Sequence, residues 1–136
     1  DYGVIKTRNG KEVTAILINN LNDIYNYLND KITTIFIDEA NFMKGNIDVL
    51  IDLSINKDLD IFIAGLNLTS ELKPFGIMPE IMAISDEIVL LHASCNDCNR
   101  DASYTYYTGT KDNDILVGND NYIALCPKCL RKRLTK

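Results

Sequence analysis

Two groups of residues in this 136-residue chain combine types and spacings that suit them to chemistry. The first is four cysteines in two C-x-x-C pairs, Cys95-Asn96-Asp97-Cys98 and Cys126-Pro127-Lys128-Cys129, with residues 99–125 between them. Two residues between thiolates let one tight turn aim both sulfurs at a shared ion, and two such knuckles complete a tetrahedral site of four sulfurs. With no water ligand, such a site is closed and structural. Zn2+ held there contributes directly to the folding of a region too small for a large core. Two disulfides, or four free thiols, are the plain alternatives. The N-terminal residues do not read as a signal peptide, which disfavours the disulfides.

The second group is Asp38 and Glu39, two adjacent carboxylates closing the run Thr33-Thr34-Ile35-Phe36-Ile37. β-branched and aromatic residues in a short apolar run predict a buried parallel strand over residues 33–37. Ligands in open α/β sheets bind just beyond the carboxyl ends of strands, where these acids would sit. Successive residues of an extended chain point to opposite sides, so one acid can support a cation while the other faces a substrate. A hydrophobic strand ending in Asp-Glu has the form of a Walker B segment, whose Asp supports Mg2+ in P-loop nucleotide enzymes. A strand running into a solvated acidic turn is the plain alternative.

The elements that must position these groups follow from pattern. Residues 1–11 read as a turn-rich opening with Asn9-Gly10 as a hairpin turn, and residues 13–18 as a strand. Leu21, Ile24, Tyr25 and Leu28 recur at helical spacing, so residues 21–29 are a helix with one apolar face, capped by Asn20. Ile47, Leu50 and Ile51 mark a second helix, and residues 60–64 a further buried strand ending at Gly65. This alternation predicts a parallel sheet with right-handed crossovers. A long loop at residues 65–76 follows, then a short helix begun by Pro79 and ending at Ile84, then a strand at residues 87–93. There the texture changes to short strands and turns, with candidates at 104–108 and 114–117. The expected fold class is α/β: a parallel-sheet core over residues 1–93, then a zinc-binding subdomain over residues 94–136. His92, within the apolar run, reads as structural.

The composition bounds what the chain can be. Hydrophobic residues make up 46%, enough for a real core. The net charge is −5 and the pI about 4.7, which argues against non-specific nucleic-acid binding. The basic run at residues 130–136 reads as a solvated tail. No apolar run is long enough to span a membrane, so no membrane partner is expected and the default location is cytoplasmic. Asn67-Leu68-Thr69 matches a glycosylation acceptor and is discounted for want of a secretory signal.

Four segments together resemble the type II, zinc-containing thymidine kinase family. Ile37-Asp38-Glu39-Ala40-Asn41-Phe42 is similar to the family's I-D-E-[AG]-Q-F. Ala64-Gly65-Leu66-Asn67, then Pro74-Phe75-Gly76-Ile77-Met78-Pro79-Glu80, is similar to A-G-L-D and E-P-F-G-P-M-P-E. Cys95-x-x-Cys98 with Ala102-Ser103-Tyr104-Thr105 resembles the first knuckle and the strand after it. Val117-Gly118, Tyr122 and Cys126-x-x-Cys129 resemble the lasso and second knuckle. The resemblance implies a P-loop-kinase-like core and transfer of the ATP γ-phosphate to the 5′-hydroxyl of thymidine, in nucleotide salvage. It implies Glu39 as general base and Asp38 on the Mg2+ and phosphate side. Leu116, Val117 and Gly118 would hold the nucleoside partly by backbone groups. Phe42, Leu66 and Phe75 would line an apolar wall, Tyr122 would pack on the nucleoside and Thr105 would lie near the 5-methyl. Core packing is the plain alternative for each of Phe42, Leu66, Phe75, Thr105 and Tyr122. Cys95, Cys98, Cys126 and Cys129 would hold structural Zn2+. A homotetramer and feedback by dTTP belong to the same implication.

The chain also departs from that pattern. It contains no G-x-x-x-x-G-K-[ST] phosphate loop, so it reads as the larger, C-terminal part of such a kinase. Alone it is expected to be inactive, without productive ATP binding. Arg8, in Thr7-Arg8-Asn9-Gly10, matches the family's S-R-x-G rather than its phosphate-directed D-x-R. Asn41 replaces a Gln, and Thr69-Ser70-Glu71-Leu72 replaces a segment around an aromatic and an Arg. Val117-Gly118 stands where Gly-Gly is frequent. These leave open a catalytically silent or relaxed-specificity homologue acting as a nucleoside- or protein-binding zinc module. A general P-loop ATPase fits the acid pair but not the lasso.

Overall fold

A computed structural model of the chain describes residues 2–7, 9–109 and 121–135. The chain forms two compact units: Asp1–Leu66 with Gly76–Ile84, and Asn67–Phe75 with Ser85–Lys136.

The first unit opens with an antiparallel hairpin, β1 (Tyr2–Lys6) and β2 (Glu12–Ile16), in register from Tyr2 opposite Ile16 to Lys6 opposite Glu12. The opening is therefore strand rather than turn alone. Asn9-Gly10 does lie in the turn, where Gly10 N–H donates to the Thr7 carbonyl. A 3-10 helix, Leu21–Tyr27, follows, and the Asn20 side chain accepts from the Asn22 amide to cap it, as its sequence position predicts. β3 (Thr34–Ile37) pairs in parallel with β4 (Asp60–Ile63), Thr34 opposite Asp60 and Ile37 opposite Ile63. Between them, α1 (Asp48–Ile51) runs on into a π turn, Asp52–Asn56. Parallel strands need such a crossover connection. α2 (Met78–Ile84) closes the unit.

Leu21, Ile24, Ile37, Val49, Leu50, Leu53, Met78 and Ile81 form the core of this unit. Among the described residues it covers one face of the β3–β4 pair. Phe36 and Phe62, opposite each other in the β3–β4 register, stack at 5.1 Å and stay 76% and 57% exposed. The expectation of a parallel sheet of buried strands is thus met only in part. Among the described residues the parallel sheet has two strands, and β2 pairs with β1 instead. The architecture of the described residues is a small α/β one.

The second unit has two further antiparallel pairs, β5 (Ala93–Ser94) with β6 (Asp101–Ala102) and β7 (Tyr104–Tyr107) with β8 (Tyr122–Leu125). The expected strand at residues 87–93 shortens to β5. Ile88, Val89, Leu90 and Leu91 are between 49% and 87% exposed and have no strand partner among the described residues, and an extended run is not a strand without a ladder. His92 is correspondingly not in a strand. It is exposed, with Nδ1 3.0 Å from Ser103 Oγ. The basic closing run is not a loose tail either. It forms most of α3 (Pro127–Leu134), which begins with Pro at its first turn and buries Cys129 and Leu130. Arg133 makes a two-armed ion pair with Asp97, at 2.7 and 3.0 Å, and lies 5.5 Å from the Tyr106 ring. No helix of the described residues is long and apolar enough to cross a membrane.

Candidate functional site

The acid pair stands where β3 ends. Both carboxylates are exposed. The Glu39 amide donates to Asp38 Oδ1 at 2.9 Å, so one Asp38 oxygen already serves the turn. Glu39 has φ +54, in the left-handed region, and precedes a short 3-10 helix, Ala40–Phe42. A long non-glycine side chain there is uncommon, and such a conformation persists only where surroundings over-determine it. The strand-like alternation expected for the pair therefore stops at Asp38. A left-handed turn, not the pleat, separates the two acids.

The surroundings that hold the turn are visible. Ala40 N–H donates to the Ala64 carbonyl just beyond β4, and Phe42 N–H to the Glu39 carbonyl, both at 3.0 Å. Asn41, 3% exposed, accepts the Leu66 amide on Oδ1 at 2.9 Å. Two glycines allow the close approach. A Cβ on Gly65 would come within 3.1 Å of Asn41 Oδ1 and 2.9 Å of Met78 Sδ. Gly76 has φ +53, and a Cβ there would overlap the Asn41 carbonyl oxygen.

Of the expected apolar wall, Phe42 and Leu66 are 57% and 50% exposed, so core packing does not account for either, while Phe75 is half-buried in the second unit. Thr105 is half-buried on β7 opposite Ala124, and Tyr122 lies against Tyr107 at 5.1 Å between ring centres. Leu116, Val117 and Gly118, with the strand expected at residues 114–117, lie outside the described residues, as does Arg8. Glu71, in the segment that departs from the family pattern, is ion-paired to Lys73 at 3.2 Å, in a turn whose Thr69 hydroxyl accepts the Glu71 and Lys73 amides.

The four cysteines converge. All are free thiols, and their sulfurs lie within 4.8 Å of one another. The Cys98 and Cys126 sulfurs are 3.7 Å apart, far beyond a disulfide. This separation matches the edge of about 3.8 Å that a tetrahedron of sulfurs has around an ion about 2.3 Å from each. The first knuckle is a tight turn: Cys98 and Asn99 N–H both donate to the Cys95 carbonyl, and Asn99 adopts φ +59. Asn96 N–H donates to the Ala124 carbonyl, which ties that knuckle to β8, and Cys126 is the N-cap of α3.

The electrostatics suit a cation. Arg100 Nε donates to the Cys98 sulfur at 3.5 Å, and this bond pulls the Cys98 thiol down to about 6. Burial pushes Cys95 up, but backbone donors at Cys126 and Asp97 outweigh it and leave it below its ordinary value. Burial, then crowding by the other sulfurs, pushes Cys129 up to about 12. Four thiols this close cannot all ionise without a compensating charge, and a divalent cation that prefers sulfur supplies one. The cluster could hold zinc. Sequence pattern found the four cysteines but missed Arg100, whose donor two residues past Cys98 is a local cue to a stabilised thiolate.

A model of the thymidine kinase family matches residues 1–130. The chain is 35% identical over 129 residues to a thymidine kinase of Mycoplasma mobile, covering 94% of this chain and 64% of that protein. It is 32% identical over 139 residues to a thymidine kinase of Pseudothermotoga lettingae, covering 99% and 75%. The chain belongs to the thymidine kinase family. A Porphyromonas gingivalis thymidine kinase, 36% identical over 107 residues, has 52% of its length covered. Relative to several of these family members, then, the chain spans between half and two thirds of their length.

Proposed function

We propose that the complete protein is an ATP-dependent thymidine kinase of nucleotide salvage, in the cytoplasm. The observation that carries the reading is Glu39, an exposed carboxylate held in a left-handed turn at the carboxyl end of a parallel strand, in a chain of this family. An alcohol is far too weak an acid to ionise at neutral pH. A carboxylate beside it can orient the hydroxyl and take its proton as the new bond forms. In this scheme the thymidine 5′-oxygen forms a bond to the γ-phosphorus, the bond from that phosphorus to the β-bridging oxygen breaks, and the proton passes to Glu39. Positioning and charge neutralisation supply most of the rate, as in other phosphoryl transfers. Mg2+ would supply that neutralisation when bound, and the exposed Asp38 carboxylate, a hard oxygen donor, would help to hold it.

In this reading Phe42, Leu66 and Phe75 form the apolar wall, with Thr105, Tyr122 and backbone groups of residues 116–118 around the nucleoside. Residues 1–93 serve as the P-loop-kinase-like core and 94–136 as the zinc-bearing subdomain, in which Zn2+ on Cys95, Cys98, Cys126 and Cys129 is structural. A homotetramer is the proposed assembly.

The test is phosphorylation of thymidine, deoxyuridine and deoxycytidine by the complete protein and by Glu39→Gln, which keeps the shape and removes the base. Thymidine should be phosphorylated in preference to deoxycytidine. In the variant, thymidine binding should persist while turnover falls by about 10²–10⁴-fold, the range for general-base catalysis. Absence of phosphorylation with retained nucleoside binding would identify a silent homologue instead.

A further inference from the structure

Asn41 stands out among the described residues as a buried polar side chain within a hydrophobic core. Its Oδ1 accepts the Leu66 amide, while its Nδ2 is buried with no partner among the described residues. An apolar side chain of similar size would pack there without leaving a donor unpaired. Core filling therefore does not explain the carboxamide. What it does is join two segments. Asn41 lies two residues after Glu39, inside the Ala40–Phe42 helix, and its side chain reaches the loop that leaves β4. Gly65 on that loop and Gly76 before α2 both lack a Cβ where one would strike Asn41. Two segments, the loop after β4 and the stretch before α2, thus close on Asn41 in its own turn, next to a glutamate in a conformation that does not hold itself.

We propose that Asn41 is a positioning residue, whose carboxamide locks the Glu39 turn to the Leu66 amide and so fixes where the Glu39 carboxylate stands. The proposal rests on the general-base reading of Glu39. It also carries a specificity consequence: the same bond sets the backbone of Leu66, proposed above as part of the nucleoside wall.

The experiment compares Asn41→Leu and Asn41→Gln in the complete protein. Both add bulk and only the second keeps a carboxamide. Turnover number and thymidine KM are measured separately, with thermal unfolding beside them. Misplacement of a catalytic group by an ångström can cost about 10²-fold. Asn41→Leu should therefore lose at least about tenfold in kcat, with a smaller change in KM, and Asn41→Gln should recover most of it. Should Asn41→Leu unfold below the assay temperature, Asn41→Ala is read in the same way. Equal losses in the Leu and Gln variants, a loss confined to KM, or near-normal kcat without the carboxamide would overturn the positioning role alone. Near-normal turnover in Glu39→Gln would overturn the underlying reading of Glu39, whatever the Asn41 variants do.

Discussion

Individual side chains carry the chemistry, and they differ in how openly the sequence displays it. The cysteines were legible because C-x-x-C spacing encodes a turn, and the turn appears as two amides on the Cys95 carbonyl. Replacing Cys98 by Ser removes one corner of the cluster and the thiolate that Arg100 stabilises. We expect the variant to lose zinc and residues 95–129 to become protease-sensitive. Metal analysis showing unchanged zinc content would contradict the assignment. Glu39 was legible as a residue but not as a conformation. An extended strand predicts alternating side chains, whereas the φ of +54 reflects contacts made by Ala64, Leu66 and Gly76, distant in sequence. Asn41 was legible only as a shortened polar arm, since its burial depends on those same contacts.

The elements follow periodicity where a local rule governs them and depart from it where partners govern. Asn20 caps its helix as composition predicts, and β3 and β4 fall within a residue of expectation. Residues 88–91 have strand composition and form no strand, because a ladder needs a neighbour that composition cannot reveal. The closing basic run became helix α3 because Leu130 and Cys129 bury on one side while Arg133 reaches Asp97. A further contact joins the first helix to the π turn. Tyr25 Oη donates to Asp52 Oδ2 at 2.6 Å, with Asn56 Nδ2 on the other oxygen. The Tyr25 bond, with help from Asn56, lowers the Asp52 carboxyl, and the same bond raises the Tyr25 phenol. A depressed carboxyl stabilises the fold above its unfolded value and loses that contribution as pH falls through its folded value. A raised phenol stabilises below its unfolded value and loses that as pH rises through the folded one. Tyr25→Phe should therefore unfold at a higher pH on acidification, with a shift that shrinks to nothing once Asp52 is protonated in both states. Identical acid-unfolding curves for the two proteins would contradict a contribution from this pair.

The two compact units divide the proposed work, the acid turn in one and the sulfur cluster in the other. Hydrophobic content foretold that cores would form, and each unit has one. Sheet width was not legible, because local alternation of strands and helices does not say how many strands will pair. Family membership joins the units into one functional proposal: a nucleoside whose 5′-hydroxyl faces Glu39. The most direct measurement is a crystal structure of the complete protein with thymidine bound. Our account predicts the 5′-oxygen within hydrogen-bond reach of the Glu39 carboxylate, about 2.6–3.2 Å. A nucleoside bound with its 5′-oxygen turned away from Glu39, or seated elsewhere on the protein, would contradict it.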